Sequence, residues 1–236
     1  MEIFKKNLFT LTGMTLNPSQ QKAFSLFERE LLDWNTRFNL TAIRNSGDIH
    51  IKHFLDSLSC LLVIDNKTSF RMVDVGTGAG FPGIPLKIMI PEMRLTLVES
   101  VGKKADFCRH VVEVLSLPYV DVIQARAEDL GQTPEYREQF DFSIGRAVAD
   151  LPVLVEYLLP LTRLGGAMIA QKGQNGLFEV QKAERAIQLL GGKVKLVRKV
   201  NLPGVVEDRF LIVIDKVAAT HSRYPRRAGI AIKKPL

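Results

Sequence analysis

The chain has 236 residues and a formal net charge of +7, with 46% hydrophobic and 24% charged residues, a composition typical of a globular protein of one or two domains. Its two cysteines have no disulfide or metal-ligand spacing, and His50 and His53 have no third ligand nearby, so neither a disulfide scaffold nor a metal site is predicted. No apolar run reaches the roughly 18 residues of a membrane span, and the N-terminal apolar stretch lacks a signal cleavage site, so we expect a cytoplasmic protein without a membrane segment.

Two amphipathic helices are predicted at the start of the chain. Apolar side chains recur near helical spacing in residues 18–39 and again in residues 47–64, and Pro18 suits the first position of a helix. The turn-rich sequence NLTAIRNSGD lies between them. The two helices are predicted to form an N-terminal helical cap over residues 1–66.

From Phe70 onward, strand and helix patterns alternate. The strand-like runs are 71–75, 94–99, 119–125, 140–145, 167–171, 193–200 and 208–215, and helices are predicted at about 82–90, 102–116, 150–162 and 177–190. Only a loop joins the last two strands, which favours an antiparallel pair, whereas the helical crossovers favour five parallel strands. We therefore expect a Rossmann-like α/β fold with a mostly parallel, seven-stranded sheet over residues 67–216.

A glycine-rich turn follows the first predicted strand, in the run VDVGTGAGFPG of residues 73–83. Glycine lets the backbone approach a small molecule, and a helix N-terminus behind the turn offers unpaired N–H groups to it. The glycines from Gly78 to Gly83 fit the dinucleotide pattern G-x-G-x-x-G, but Gly76 already follows the strand closely. The pattern acid-x-Gly-x-Gly-x-Gly is typical of S-adenosylmethionine-dependent methyltransferases. It predicts a cofactor loop containing Asp74, Gly76, Gly78 and Phe81, in which Asp74 orients loop amides or reaches the cofactor's ammonium group.

The carboxyl ends of the other strands supply further candidates, because ligands bind at that edge of a doubly wound sheet. Glu99 and Ser100 follow the second strand, about 20 residues past the loop, where an acid can accept hydrogen bonds from both ribose hydroxyls. Ala127 and Glu128 follow the third strand and are suited to adenine. Arg146 follows the fourth strand, where the methyl acceptor is expected.

The C-terminal segment 217–236 is predicted to be a basic tail. Residues 216–236 contain six Lys or Arg and no acid, so they carry nearly all of the net charge. Such a tail suits a phosphate backbone and predicts salt-dependent binding. Tyr224 is placed to stack on a base. The alternative is a solvated, partly disordered tail that only aids solubility.

Absent motifs narrow the methyl acceptor. The fourth strand is followed by GRAVADLP and not by the Asn/Asp-Pro-Pro-aromatic motif of amino-group methyltransferases, and Cys108 lies in a helix away from the strand ends. No His or Lys general base is predicted there. A ring nitrogen such as guanine N7 needs only alignment with the methyl carbon. Arg146 is then predicted to hold guanine O6 or a phosphate, because a contact with N7 would block attack.

Eight segments carry a family resemblance that spans the chain. They are NLTAI (39–43), KHFLDSL (52–58), VDVGTGAGFPGIPLKI (73–88), ES-x-GKK (99–104), RAED (126–129), GRAVADL (145–151), QKG (171–173) and RYPRRAGIAIKKPL (223–236). Together they resemble the ribosomal RNA small subunit methyltransferase G family, also called glucose-inhibited division protein B.

The resemblance implies S-adenosyl-L-methionine-dependent methylation of guanine N7 in the 530 loop of 16S ribosomal RNA, as rRNA or in the small ribosomal subunit, by a monomer. It implies that Arg146 has a role at the cofactor or the acceptor, and that Glu99 stands where an aspartate is expected. The cofactor site would include Gly76, Phe81, Ala127, Glu128 and Arg146. The RNA contacts would include Arg126, Lys172, Arg223, Arg226 and Arg227.

Two other classes of function remain open from the sequence. The glycine register from Gly78 to Gly83 would suit a nicotinamide-dependent oxidoreductase, which binding of NADH would reveal. A non-catalytic RNA-binding α/β protein would depend on its basic tail and bind RNA with a steep salt dependence, without methyl transfer.

Overall fold

The computed structural model describes residues 1–64 and 69–236. One sheet contains seven strands: β1 (Arg71–Val75), β2 (Arg94–Glu99), β3 (Val120–Gln124), β4 (Phe140–Arg146), β5 (Thr162–Lys172), β6 (Gly192–Val200) and β7 (Arg209–Lys216). Their order is β3-β2-β1-β4-β5-β7-β6, with β1 to β5 parallel and β7 antiparallel to both of its neighbours. The predicted parallel strands and terminal antiparallel pair are confirmed. The order differs from the 3-2-1-4-5-6 arrangement of dinucleotide-binding folds.

Alternate residues of each strand face opposite sides of the sheet, and each side has its own hydrophobic core. In β1, Met72 belongs to one core and Val73 to the other. The same alternation places Ile169 of β5 in the first core and Met168 in the second. Both faces are thus covered by helices, as expected for a doubly wound sheet.

The helical cap contains α1 (Glu2–Thr12), α2 (Pro18–Arg37) and a mixed helical segment, α3, over residues 46–62. Segment α3 consists of α-helical Ser46–Asp48, π-helical Ile49–Leu55, α-helical Asp56–Leu58 and 3-10 helical Ser59–Leu62. A capping box between Asn17 and Gln20 starts α2 at Pro18 as predicted. Helix α1 was not predicted; it buries Phe4 and Leu8 and contacts α3.

The remaining helices connect the strands. They are α4 (Gly83–Met89), α5 (Gly102–Val114), α6 (Ala127–Gln132), α7 (Leu151–Leu158), α8 (Gly176–Leu189) and α9 (Ile230–Lys233). The sequence did not predict the short helices α6 and α9. It also extended α7 to residue 162, where β5 already begins. No helix among the described residues combines the length and hydropathy needed to cross a bilayer.

The cap packs on the glycine loop through aromatic rings. The ring centroids of Phe27 in α2 and Phe81 in the glycine loop are 5.2 Å apart, and the ring of Phe54 in α3 contacts both. These side chains belong to the same hydrophobic core as Leu97 of the sheet. The predicted boundary between residues 66 and 67 lies outside the described residues, and the division into cap, sheet domain and tail stays a prediction.

Candidate active site

The glycine loop between β1 and α4 has the backbone that its sequence predicts. Gly76, Gly78 and Gly80 adopt φ values of +68°, +60° and +86°, a region open to glycine without steric cost. A Cβ added at Gly76 would also lie 2.7 Å from a methyl group of Val148, which follows β4. A side chain at position 76 is therefore disfavoured by the backbone conformation and would require Val148 to shift.

Asp74 supports this loop from β1. Its buried carboxylate accepts hydrogen bonds through Oδ2 from Thr77 Oγ1 at 2.6 Å and from the Gly83 amide at 2.8 Å. The prediction that the helix start offers free N–H groups to a ligand is wrong at these positions, because Gly83 donates to Asp74 and Ile84 to the Gly80 carbonyl. Asp74 Oδ1 is buried without a hydrogen-bond partner among the described residues, so one acceptor is left for a ligand.

Glu99 supports the loop from the end of β2. Its Oε2 accepts a hydrogen bond from the Gly78 amide at 2.9 Å, and its Oε1 accepts one from the Val101 amide at 2.8 Å. The carboxylate thus lies at the predicted strand end and holds the loop. Oε1 also accepts a longer hydrogen bond from Ser100 Oγ at 3.5 Å, and the contact of the carboxylate with ribose stays a prediction.

The charge state of Asp74 predicts a pH-dependent stability. Burial raises the pKa of Asp74 from its ordinary 3.8 to about 6. Because the folded-state pKa lies above the unfolded value, the native state holds the proton more tightly, and this stabilisation is lost as the pH rises from about 4 to 6. We expect wild type to lose about 3 kcal/mol relative to Asp74→Asn between pH 3 and 7, measured by urea unfolding. A difference that is constant with pH would contradict this.

A first cavity, the Glu128 cavity, opens beside the loop at the carboxyl ends of β1, β2 and β3. Its volume is about 130 Å³. Four predicted cofactor residues line it: Gly76, Ser100, Ala127 and Glu128. Ile232 of α9, which was not predicted to be a site residue, also lines it. The structure therefore brings three strand ends and the C-terminal segment together around one pocket.

Arg146, the last residue of β4, is held by α3. Its Nη1 donates to Asp56 Oδ2 at 2.7 Å and to the Lys52 carbonyl at 3.2 Å, while Nη2 donates to His53 Nδ1 at 3.3 Å. Its guanidinium carbon lies 5.1 Å from the ring centroid of Phe81, a cation–π contact. The Arg146 and Asp56 side chains are only 15% and 11% exposed. The predicted arginine is thus fixed between the cap and the glycine loop.

His53 links Arg146 to the cap. Its ring stacks on Phe81 with centroids 4.5 Å apart, and its Nε2 lies 2.8 Å from Thr41 Oγ1. Burial, followed by the charge of Arg146, lowers the pKa of His53 to about 4, so the ring is neutral at pH 7. Because Nδ1 accepts from Arg146, the proton of the neutral ring is on Nε2. His53 lies in the π-helical stretch Ile49–Leu55, a geometry frequent at functional sites.

A second cavity, the Arg146 cavity, has a volume of about 540 Å³ and lies at the carboxyl ends of β4 and β5. Val148 lines both cavities and separates them. Lys172 of β5 lines the Arg146 cavity, where its Nζ donates to the Ala149 carbonyl at 2.6 Å and pairs with Glu179 at 2.5 Å. The neighbouring Gln171 has its Oε1 buried without a partner among the described residues.

No His or Lys general base was predicted at the end of the fourth strand, and this stays a prediction. His53 and Lys172 both line the Arg146 cavity. Strand-end reasoning missed His53 because it comes from the cap, which only tertiary packing places there. Neither side chain is a free base, since both are engaged in the contacts described above.

A protein-family model described as rRNA small subunit methyltransferase G matches residues 20–208. This chain belongs to that family. The matched residues include the glycine loop and the strand ends that line both cavities. The family resemblance found in the sequence is confirmed.

Relatives in the rRNA small subunit methyltransferase G family match nearly the whole chain. The protein of Roseiflexus sp. (strain RS-1) is 50% identical over 224 residues, which cover 95% of each chain. That of Lactobacillus johnsonii (strain CNCM I-12250 / La1 / NCC 533) is 44% identical over 237 aligned positions, covering 100% of this chain and 99% of the relative. Both are named "Ribosomal RNA small subunit methyltransferase G".

The fold is also shared with solved methyltransferase structures. M. jannaschii TYW2 in complex with AdoMet has a TM-score of 0.55 at 16% sequence identity, covering 73% of this chain and 78% of TYW2. Family and fold together confirm the predicted S-adenosyl-L-methionine cofactor. The site fits this group, because Gly76 lines the Glu128 cavity without a side chain and Asp74 Oδ1 is a buried acceptor with no partner among the described residues.

The sequence analysis did not predict several residues that lie at the site of this methyltransferase. Thr41, His53 and Asp56 lie in the cap segments NLTAI and KHFLDSL, which were noted only for their resemblance to the family. Gln171 lies in QKG and Ile232 in the C-terminal segment. The signal was therefore in the quoted motifs, although no spacing rule connects them to the strand ends.

The basic C-terminal segment is docked and not a solvated tail. Tyr224 is 5% exposed and belongs to the second core, so the expectation that it stacks on a base is wrong. Arg226 pairs with buried Glu156 at 2.6 Å. Arg223 and Arg227 are exposed, as is Arg126. The RNA contacts of these arginines and of Lys172 stay predictions.

Proposed function

We propose that the protein transfers a methyl group from S-adenosyl-L-methionine to N7 of one guanine in the 530 loop of 16S ribosomal RNA. The proposal is supported by membership of the rRNA small subunit methyltransferase G family and by the names of its relatives. We further propose that it acts as a cytoplasmic monomer, on the rRNA or on the small ribosomal subunit.

The unused donors of Arg146 carry the proposal. A guanidinium group has five N–H donors. Asp56 and the Lys52 carbonyl take both donors of Nη1, and His53 takes one of Nη2. Among residues 1–64 and 69–236, no acceptor takes Nε–H or the second Nη2–H of Arg146, which lines the Arg146 cavity. These donors suit an oxygen such as guanine O6, a phosphate or the cofactor carboxylate, and leave N7 free to attack.

Alignment suffices for a ring nitrogen, and the buried groups around the cavity meet that requirement. When bound, the cofactor supplies an electrophilic methyl group on its sulfonium. Asp56 is paired with Arg146, Glu179 is paired with Lys172, and His53 is neutral. The role of these groups is to position the acceptor and to limit the access of water. Methyl transfer to a ring nitrogen then requires that the nitrogen and the methyl group lie in line, without proton transfer.

A covalent route through cysteine lacks support. Cys60 and Cys108 are fully buried, and burial raises the pKa of both thiols. Cys108 Sγ also contacts the Gly78 carbonyl at 3.4 Å. Neither group is therefore available as the thiolate that methylation of cytosine C5 requires.

For the cofactor, we propose that the Glu128 cavity holds the adenosine half. Glu99 and Ser100 would contact the ribose, and Ala127 and Glu128 the adenine. Asp74 Oδ1 is the acceptor left for the ammonium group. This division is supported by the strand ends that line the cavity.

For the RNA, we propose that exposed Arg126, Arg223 and Arg227 contact phosphates. Lys172 differs from them because its side chain is 8% exposed inside the Arg146 cavity. A contact between Lys172 and RNA would therefore involve the target nucleotide itself. Arg226 is engaged with Glu156, and any RNA contact it makes would be added to that pair.

The test is methyl transfer from labelled S-adenosyl-L-methionine to unmodified small ribosomal subunits, naked rRNA and precursor particles. The RNA is then digested and its nucleosides are analysed by mass spectrometry. We expect 7-methylguanosine at one site in the 530 loop, because guanine N7 can attack the methyl group without a base and the remaining Arg146 donors suit guanine O6.

Other outcomes of the same assay would contradict the proposal. A different methylated nucleoside would show that the acceptor is wrong. Cofactor binding without transfer to any of these RNAs, combined with tight salt-dependent RNA binding, would favour the non-catalytic RNA-binding protein.

A further inference from the structure

Buried contacts anchor the C-terminal segment to the sheet. Arg226 makes hydrogen bonds through Nε and Nη2 to Glu156, whose side chain is 1% exposed, and Tyr224 is buried nearby in sequence. Arg137 donates to the carbonyl oxygens of Thr220 and Tyr224. These contacts fix the position of the segment on the sheet. The residues that follow it therefore also have a defined position.

After these anchors the chain returns to the cofactor site. The Gly229 amide donates to Glu128 Oε1 at 3.0 Å, so a residue predicted to contact adenine also holds the start of α9. In α9, Ala231 is fully buried in the second core. The next residue, Ile232, lines the Glu128 cavity together with Gly76.

The Ile232 side chain is exposed to solvent, and a ligand bound in the Glu128 cavity would cover it. It is a large apolar residue and 63% exposed, although it lies on the wall of a cavity. Covering such a side chain with an apolar surface is favourable because that surface leaves water. An adenine ring has an extended apolar face, and the cavity's other walls are the strand ends that suit adenosine.

We propose that Ile232 is a cofactor-binding residue whose side chain covers the adenosine half of S-adenosyl-L-methionine. Helix α9 is then a wall of the cofactor site, which the basic composition of the segment does not suggest. The inference depends on the cofactor and is independent of the guanine acceptor.

The experiment is titration calorimetry of the full chain with two ligands, S-adenosylhomocysteine and 5′-methylthioadenosine. Ile232→Ala is expected to raise the Kd of both about tenfold, because both contain the adenosine half. The matched control is Ile230→Ala. Ile230 is 40% exposed in the same helical turn and does not line the cavity, so its Kd should stay within about twofold of wild type.

Three results would overturn the inference. An unchanged Kd for Ile232→Ala would show that its side chain does not contact the ligand. An equal rise for Ile230→Ala would indicate general disruption of α9. A rise for S-adenosylhomocysteine alone would place the contact outside the adenosine half. The substitution leaves the Arg226 and Tyr224 contacts in place, so an unchanged melting temperature would show that the variant is folded. Because no RNA is present, failure of this inference cannot be mistaken for failure of the acceptor proposal.

Discussion

Gly76→Asp is expected to abolish cofactor binding in a folded protein. Gly76 has a φ of +68°, and a Cβ there would lie 2.7 Å from Val148. An aspartate would also place a carboxylate at the wall of the Glu128 cavity, where the cofactor is proposed to lie close to the backbone of the glycine loop. We expect the Kd for S-adenosylhomocysteine to rise at least about 100-fold, about 2.7 kcal/mol, in calorimetry.

Three further variants separate this local effect from backbone strain. Gly204 has a similar φ of +73°, but no atom lies within 4 Å of an added Cβ, so Gly204→Ala should leave the Kd unchanged. Gly76→Ala should bind weakly, and adding Val148→Ala should restore part of the affinity by removing the clashing methyl groups. Tight binding by folded Gly76→Asp would show that the loop does not hold the cofactor.

Arg146→Ala is expected to retain the fold and lose most methyl transfer. The residue lines the Arg146 cavity and contacts Phe81 of the glycine loop, so its loss is expected to affect both the proposed acceptor site and the loop. We expect kcat/KM to fall at least about 100-fold, equivalent to about 2.7 kcal/mol of transition-state stabilisation. Arg146→Lys should also be impaired, because an ammonium group cannot reproduce the planar set of donors.

Loss of Arg146 also leaves Asp56 without its partner, at a cost of about 3 kcal/mol for a buried pair. Arg146→Ala combined with Asp56→Asn removes that unpaired charge and should recover stability without recovering activity. Arg163→Ala is the matched control, since Arg163 pairs with Asp141 near the start of β5, at the opposite edge of the sheet. Wild-type turnover by Arg146→Ala would remove its proposed role.

The strands and the glycine loop could be predicted because their causes are local. Runs such as Arg71–Val75 and Arg94–Glu99 are apolar, are bounded by turns and match the observed strands. The loop after β1 requires glycine at positive φ, which few other residues adopt. Helix α1 could not be predicted in this way, because only Phe4 and Leu8 are buried in it and the helix packs on α2 and α3 of the cap.

The sequence by itself determined the fold class, the family and the strand ends proposed to bind the cofactor, since periodicity, glycine spacing and short motifs act over a few residues. Tertiary structure alone decided that His53 and Asp56 of the cap hold Arg146, and that the basic C-terminal segment docks with Ile232 at the Glu128 cavity. These contacts join residues about 90 or more positions apart. Their geometry depends on how the cap, loop and C-terminus pack on the sheet, and no local pattern encodes that packing.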